Sequence, residues 1–271
     1  MKSCCESIPI NRAGYYRSLQ PVAVDAEEME LRHRIQAIAL EWPAYGYRRI
    51  KRELRDKYGC YVNYKRVLRI MRADNLLCLR RKSFWVPTTN SAHRWPVFAN
   101  LAAEMKGNLT AVNQLWVADI TYIRLEREFV YLAVVLDAYS RRVVGWALGR
   151  TLEAELALTA LRVAVAQRRP GAGLVHHSDR GVQYACSDYR ELLQQHGMVG
   201  SMSRAGNPYD NAFAESFIKT LKYEEVYRNQ YRDMNQAQEA IGEFIDQVYN
   251  QKRLHSALGY VSPAKFERAA A

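Results

Sequence analysis

Three carboxylates occupy positions whose type and spacing could support metal chemistry. Asp119 interrupts the run "WVADITY", in which β-branched and aromatic residues otherwise predict a strand. Asp179 ends the short strand predicted over "LVHHSD", and open α/β sheets bind ligands at the carboxyl ends of their strands. Glu215 lies one turn into a helix predicted over about 210–226. Oxygen ligands from three such residues would suit Mg²⁺, a hard cation.

The glutamate helix has one charged side and one apolar side. At about 100° per residue, Lys219 and Lys222 lie within about 40° of Glu215. The apolar residues lie roughly opposite: Phe213, Ala214, Phe217 and Leu221. Two divalent ions ~3.5–4 Å apart can activate the attacking oxygen and stabilise the leaving oxygen in phosphoryl transfer. Lysines beside such a site would contact a phosphate backbone, so the pattern favours DNA as substrate.

Each carboxylate also has an ordinary explanation when it is taken alone. Asp119 could be a strand-edge residue in a local hydrogen bond, and Asp179 could begin a turn. Glu215 could lie on a solvated helix face. The order and spacing of all three together favour the metal site.

Neighbouring polar residues are candidates for supporting roles. Asp210 is predicted to cap the glutamate helix and so fix the direction of Glu215, with Asn211 beside it. His177 is predicted to orient the site or contact a phosphate, since metal ions themselves lower the pKa of bound water and no general base is required. For Arg253 and His255, a DNA contact and a surface loop remain equally open.

The positive charge is concentrated in the first part of the chain. Residues 1–106 hold 20 Lys and Arg against 10 Asp and Glu, whereas the rest of the 271-residue chain is nearly neutral. Within 43–82 the contrast is 13 against 3. This distribution predicts a module that binds a polyanion, joined to a different domain.

The basic region has the periodicity of three short helices. Predicted inner residues are Leu31, Ile35 and Ile38, then Ile50 and Leu54, then Val67, Leu68 and Met71. Gly59 predicts a helix end and Asn63 a helix cap. Lys65, Arg69 and Arg72 share a face of the third helix, which suits a helix-turn-helix that enters the major groove. The predicted DNA contacts are Arg48, Arg49, Lys65, Arg66, Arg69 and Arg72; a solvated basic face on an ordinary bundle is the alternative.

The second part alternates between strand and helix patterns. Runs at 114–123, 128–138 and 141–149 predict an antiparallel meander, followed by helix, strand, helix, strand and the glutamate helix. The order predicts one α/β domain with a mixed sheet. The predicted organisation is an arm at 1–27, a basic helix-turn-helix region at 28–82, a linker at 83–112 and a core at 113–271.

Other features narrow the class of protein. No apolar run reaches the ~18 residues that a membrane helix needs. The five cysteines show neither C-x-x-C spacing nor a partner histidine pair, so a disulfide framework and structural zinc are not expected. Together with the start "MKSCCESIPI", which has no apolar signal region, this predicts a cytoplasmic protein, associated with the nucleoid when bound to DNA.

Several motifs together resemble a known family. Asp119, Asp179 and Glu215 are separated by 59 and then 35 residues, which resembles the D,D-35-E signature of the retroviral-integrase superfamily. The segments "VVLDAYSRRVVGW", "HHSDRGVQYA", "SMSRAGNPYDNAFAESFIKTLK" and "YNQKRLHSALGYVSPAKF" look like those of the second-reading-frame transposase of a bacterial insertion sequence. "YGYRRIKREL" and "VNYKRVLRIMRADNL" are similar to the helix-turn-helix of that family.

The resemblance implies an RNase H-like core with a five-stranded sheet, preceded by an all-α region. It implies a DNA transposase that cuts at element ends and transfers the 3′-hydroxyl into target DNA, with two Mg²⁺ or Mn²⁺ ions per site. Asp119, Asp179 and Glu215 would be catalytic ligands and Lys222 would hold a phosphate. A homo-oligomer on double-stranded DNA and fusion to an upstream-frame protein are also implied. The alternatives are a nuclease or resolvase without strand transfer, and a binding-only regulator of transposition.

Overall fold

A computed structural model describes residues 16, 25–78, 97–204 and 207–270. The chain folds as two compact units, Met1–Cys78 and Leu79–Ala271. Most of the predicted arm and residues 83–96 of the predicted linker lie outside the described residues. Among the described residues, no helix is both long enough and apolar enough to cross a lipid bilayer.

The first unit contains the three predicted helices. They are α1 (Ala26–Glu41), α2 (Tyr47–Tyr58) and α3 (Tyr64–Ala73). Gly59 ends α2 with a φ of 61°, a conformation that glycine adopts without strain, and the Asn63 side chain accepts a hydrogen bond from the Lys65 amide at 2.9 Å. The predicted inner residues are buried except Leu68, which is half-buried. Ile70, which was not predicted, is buried instead. Ile70 continues the i, i+3, i+4 spacing with Val67 and Met71, and Leu68 lies beside that stripe.

The second unit is built on a mixed five-stranded sheet in the order β3-β2-β1-β4-β5. The strands are β1 (Leu115–Arg124), β2 (Phe129–Asp137), β3 (Val143–Gly149), β4 (Val175–Ser178) and β5 (Val199–Met202). The first three pair antiparallel, while β4 pairs parallel with both β1 and β5. The predicted α/β class, the meander and the mixed sheet are therefore confirmed.

Helices cover the sheet and extend beyond the predicted set. They are α4 (Ala102–Met105), α5 (Ala154–Arg168), α6 (Val182–Ala185), α7 (Ser187–Gln195), α8 (Ala212–Glu224), α9 (Met234–Glu243) and α10 (Pro263–Ala270). A 3₁₀ turn, Pro208–Asn211, precedes α8, and a π-helical segment, Phe244–Tyr249, continues α9. The short helix α6 and the C-terminal helix α10 were not predicted, because four residues and a tail with Pro263 show little periodicity.

The alternation along β1 assigns the acidic residue to one face of the sheet. Leu115, Val117 and Ile123 pack in the same core cluster as Ala214, Phe217 and Leu221 of α8. The intervening residues Trp116, Ala118 and Ile120 pack in the cluster that contains α5 and α7. Since side chains alternate along a strand, Asp119 lies on the face that α8 covers.

The described part of the predicted linker packs on the second unit. Ala102 is fully buried in the α8-side core. The amides of Leu101 and Ala102 donate hydrogen bonds to Ser201 Oγ at 3.0 and 3.3 Å. The start of α4 is thereby held beside β5.

Candidate active site

Two of the three predicted carboxylates come from neighbouring parallel strands, one within β1 and one directly after β4. In the register between β1 and β4, Val117 is opposite His177. This is the last pair of the register, and Asp119 and Asp179 each follow it by two residues, with Asp179 just past the end of β4. The negative charge of Asp179 raises the pKa of Asp119, so the two carboxylates lie close enough to interact. Neighbouring strands run ≈ 4.8 Å apart, a separation across which two carboxylates interact directly.

A tight turn orients the second aspartate. Asp179 Oδ1 accepts a hydrogen bond from the Gly181 amide at 2.9 Å. A Cβ atom at position 181 would lie 3.0 Å from that oxygen, so the glycine leaves room for the close approach. The turn-forming aspartate of the alternative explanation is therefore present, and the role of Asp179 in a metal site stays a prediction.

The glutamate comes from α8, which crosses the same face. Ala214, Phe217 and Leu221 are buried against the sheet, and Glu215 lies on the more exposed side of the helix, close enough to Asp119 for the two charges to interact. The Asn211 side chain donates a hydrogen bond to the carbonyl of Ala118 at 2.9 Å. The start of the helix is therefore tied to the residue next to Asp119.

The electrostatics show that the three acids and one lysine influence one another. Burial raises the pKa of Asp119 well above its usual value, and the negative charges of Asp179 and Glu215 raise it further. Lys222 lowers it. Burial also raises the pKa of Glu215, an effect that the Lys106 charge opposes. Residues from two strands and a helix thus share one electrostatic site.

Lys222 lies over an aromatic ring at the edge of this site. Its Nζ is 3.9 Å from the centroid of the Tyr122 ring. Burial lowers the pKa of Lys222 and the Asp119 charge opposes that shift. Lys219, one turn before Lys222 on the same helix, is exposed. Both lysines lie on the predicted side, and their contacts with DNA stay a prediction.

Carboxylate oxygens are suitable ligands for divalent cations, although the three side chains are not close enough together to surround an ion. Across the described ranges, no group of three or more His, Cys, Asp and Glu side chains is arranged closely enough to hold a metal ion. The donor set nevertheless consists of carboxylate oxygens, which Mg²⁺ prefers. The like charges that raise the pKa of Asp119 are repulsive, and a cation would relieve that repulsion.

The predicted helix cap is wrong. The helix begins at Ala212, and Asp210 lies inside the 3₁₀ turn that precedes it. The Asp210 carboxylate instead accepts hydrogen bonds from the Arg204 amide at 2.9 Å and from the Arg204 Nε at 3.1 Å. Arg204 lowers the pKa of Asp210. The inserted turn moves the helix start by two residues and leaves Asn211 to connect the helix with β1.

The two histidines of β4 are buried and hydrogen bonded. His177 Nδ1 lies 2.9 Å from Ser201 Oγ, and its Nε2 lies 3.0 Å from Ser203 Oγ. His176 Nε2 lies 3.1 Å from the Tyr189 hydroxyl. With no exposed surface and both nitrogens occupied, His177 is arranged to fix β4 against β5, which favours the orienting role over a phosphate contact.

These histidines predict an acid-sensitive fold. Burial lowers the pKa of His176 to about 3 and that of His177 to about 4, from an ordinary value of 6.5. Between these values and 6.5 the unfolded chain binds more protons, so stability is lost as pH falls through that window. The free energy of unfolding should fall by at most about 1.4 kcal/mol per pH unit for each histidine.

Urea denaturation at pH 7.5 and 5.5 measures this loss. His177→Gln should reduce the difference in unfolding free energy between the two pH values. His196→Gln, at an exposed position, should leave that difference as in the wild type. A His177→Gln protein with the wild-type pH dependence would contradict the assignment.

The two residues whose role was left open are part of the core. Arg253 Nε and Nη2 each donate to the Glu224 carboxylate at 2.7 Å, and both side chains are nearly buried. The His255 ring packs edge-on against Tyr249, at 4.7 Å between centroids. The C-terminal segment therefore holds the end of α8, which carries Glu215.

The predicted DNA contacts of the first unit have three kinds of surroundings: an ion pair with Glu28, open solvent, or a tyrosine ring. Arg69 Nη2 lies 2.7 Å and Arg66 Nη2 lies 3.6 Å from Glu28 Oε2 of α1. Lys65 and Arg72 are exposed on α3. Arg48 and Arg49 lie over tyrosine rings, each with 5.4 Å from Cζ to the ring centroid. The predicted shared face of α3 is exposed, while Glu28 neutralises part of its charge.

Sequence reasoning missed Lys106. This residue belongs to the predicted linker, yet its ammonium group donates a hydrogen bond to the Asp210 carbonyl. Its charge acts on Glu215 and His177. The one available signal was a lysine directly after the short apolar run that contains Ala102, and that pattern is too common to indicate a site.

Family models match nearly all of the described chain. An HTH-like domain model matches residues 26–84, and two integrase core domain models match 110–208 and 196–263. The insertion element IS600 31 kDa protein of Shigella sonnei is 39% identical over 265 residues, covering 97% of this chain and 96% of the relative. Transposase InsF for insertion sequence IS3A of Escherichia coli (strain K12) is 34% identical over 272 residues, covering 98% and 93%.

Solved structures with a similar arrangement include viral integrases. A chain of the simian T-cell lymphotropic virus intasome in complex with PP2A regulatory subunit B56 gamma has a TM-score of 0.49 and 16% identity, covering 79% of this chain and 73% of that chain. The HTLV-2 integrase catalytic core domain in complex with magnesium, in its dimeric form, has a TM-score of 0.43 and 17% identity, covering 58% and 97%.

Proposed function

This chain belongs to the insertion-sequence transposase family, and we propose that Asp119, Asp179 and Glu215 are the catalytic carboxylates of its integrase core. A DNA transposase of this class is a polynucleotidyl transferase: it cuts a phosphodiester bond and joins the freed 3′-hydroxyl to a second one. The proposal assigns both steps to the acidic face between β1, β4 and α8.

One observation carries the assignment of residues. Asp119 in β1 and Asp179 just after β4 come from neighbouring parallel strands, and the negative charges of Asp179 and of Glu215 in α8 both raise the pKa of Asp119. These acids are 60 and 36 positions apart in the sequence, so only the fold brings them together. Since the like charges of such carboxylates repel one another, a shared requirement for cations is the physical reason that supports such a grouping.

The three carboxylates would hold Mg²⁺ or Mn²⁺, two ions per site. When bound, such ions lower the pKa of the attacking water or hydroxyl and neutralise charge on the leaving oxygen. Asp119 and Asp179, from neighbouring strands, and Glu215 from α8 would supply the ligand oxygens. Lys222, held over Tyr122, would contact a phosphate of the DNA strand and position it over the carboxylates.

An HTH-like domain model matches residues 26–84, and we propose that this domain binds DNA through the exposed face of α3. The basic region is assigned to 28–82 and the core to 113–271. Because Glu28 pairs with Arg66 and Arg69, the exposed Lys65 and Arg72 are the first candidates for phosphate contacts.

Lys65→Ala should weaken DNA binding about equally for all sequences and lower the salt dependence of log K by about 1, as expected for one lost phosphate contact. Fluorescence anisotropy across a salt series measures the slope. Lys57→Ala is the control, because Lys57 is already paired with Glu41 at 2.5 Å and should change the slope less. Equal slopes for wild type and Lys65→Ala would remove Lys65 from the interface.

The reaction implies partners beyond a single DNA duplex. Two element ends must meet for transfer, so we propose that the chain acts as a homo-oligomer on double-stranded DNA. An upstream-frame protein, bound or fused, is proposed to complete recognition of the ends. The cytoplasmic, nucleoid-associated location stays a prediction.

Strand transfer with pre-cut element ends tests the function. Wild-type protein with Mg²⁺ should join a labelled 3′-hydroxyl end to plasmid DNA, giving a product longer than the substrate. Release of nicked DNA without joined product would instead support a metal-dependent nuclease or resolvase. Binding without either product, in a fusion that includes the upstream frame, would support a regulator.

A further inference from the structure

Lys106 contacts both the start of the helix that carries Glu215 and the turn that precedes it. Its ammonium group donates a hydrogen bond to the carbonyl of Asp210, in the 3₁₀ turn before the glutamate helix. The same ammonium lies 5.5 Å from the centroid of the Phe213 ring, in the first turn of α8. Glu215 is only two residues further along that helix.

A second cation contacts the same ring. Arg141 Cζ lies 3.5 Å from the Phe213 centroid. Arg141 adopts a φ of 63°, which is uncommon for a residue other than glycine, and its buried Nε has no hydrogen-bond partner in the described part of the chain. A cation over an aromatic face is attracted by the ring quadrupole, more strongly when water is excluded. Phe213 therefore gives both cations a partner and holds the helix start in place.

The backbone before Lys106 is fixed to the opposite side of the site. Ser201 Oγ accepts hydrogen bonds from the Leu101 and Ala102 amides and lies 2.9 Å from His177 Nδ1. His177 is two residues before Asp179 on β4. The segment 101–106 thus bonds to Ser201 of β5, which contacts His177 of β4, and its Lys106 contacts the turn that leads to Glu215.

We propose that Lys106 is a positioning residue of the acidic site, which fixes the first turn of α8 and so the distance of Glu215 from Asp119 and Asp179. This inference rests on the proposed catalytic role of the three carboxylates. Lys106 lies four residues before the matched integrase core segment, 110–208, and reaches the site only through the fold. Its role differs from that of Lys222, which is proposed to contact DNA.

The charge on Lys106 is compatible with this role. Burial lowers its pKa, while Asp210 and Glu215 oppose that shift. Lys106 in turn opposes the rise that burial causes in the pKa of Glu215. Lys106 is therefore close enough to Glu215 for the two charges to interact, in agreement with its contacts to the Asp210 carbonyl and the Phe213 ring.

Metal binding by Lys106→Met measures the role directly. Mn²⁺ binding followed by electron paramagnetic resonance should show an affinity about 10-fold weaker than that of the wild type. Removing a residue that contacts a metal ligand without binding the metal lowers metal affinity by about 10–100-fold, and the expected value is the lower end of that range. Strand transfer by Lys106→Met should need a correspondingly higher Mg²⁺ concentration, and its rate should return to that of the wild type at saturating Mg²⁺. Lys106→Arg should restore much of the affinity, and Phe213→Leu should shift it in the same direction. Lys265→Met, an exposed lysine on α10, should bind Mn²⁺ as the wild type does.

Three outcomes would overturn the inference. These are wild-type Mn²⁺ affinity in Lys106→Met, a raised KM for DNA with unchanged metal dependence, and a loss of affinity that Lys265→Met reproduces. Asp119→Asn separates this inference from the proposed function. If Asp119→Asn loses Mn²⁺ binding and Lys106→Met keeps it, only the role of Lys106 is wrong. If Asp119→Asn keeps wild-type Mn²⁺ binding, the carboxylate assignment itself fails.

Discussion

Asp119→Asn is expected to abolish strand cleavage and strand transfer while DNA binding persists. The substitution keeps the size of the side chain and removes the negative charge that a divalent cation needs. Removing a residue that only contacts a metal ligand lowers activity by about 10–100-fold, so removing a direct ligand should lower it by more than about 100-fold. Asp179→Asn and Glu215→Gln should have the same effect, since the three act as one unit.

Gel assays of cleavage and joining, run beside anisotropy measurements of DNA affinity, separate chemistry from binding. Asp188→Asn is the matched control, because Asp188 is an exposed aspartate at the start of α7. It should cleave and join at the wild-type rate. If the three variants cleave at that rate too, the acidic face is not the active site.

Arg253→Met is expected to destabilise the second unit by about 3–5 kcal/mol, because it leaves the Glu224 carboxylate buried without its partner. The Arg253 and Glu224 side chains are only 6% and 11% exposed, and two hydrogen bonds of 2.7 Å join them. The pair connects the C-terminal segment to the end of α8, so the effect should reach the glutamate helix. Urea denaturation followed by circular dichroism measures the loss.

An exposed ion pair provides the comparison. Arg162 and Glu155 on α5 are 53% and 64% exposed, and Arg162→Met should cost about 0–1 kcal/mol. Replacing both Arg253 and Glu224 by apolar residues should recover part of the loss, because no buried charge is left unpaired. A loss for Arg253→Met no larger than that for Arg162→Met would mean that the buried pair contributes little.

The elements of the fold were largely predictable from local patterns. Period-2 and period-3.6 hydrophobic spacing gave the five strands and the long helices, and Gly59 and Asn63 gave helix ends. The short α6 and the 3₁₀ turn before α8 span four residues each, which is too short for a periodic signal. That turn is also the reason that the predicted role of Asp210 as a helix cap was wrong.

The amino-acid sequence by itself determined which residues are acidic, how far apart they lie, and which strand or helix carries each. Strand alternation already restricted Asp119 to one face of β1. Only the tertiary structure decided what those elements contact: Lys106 reaches Asp210 across 104 positions, and Asn211 reaches Ala118 across 93. Arg253, open to two interpretations, became a buried partner of Glu224. Local periodicity reports the side of an element that is buried, whereas the partner on that side depends on packing between segments that are distant along the chain.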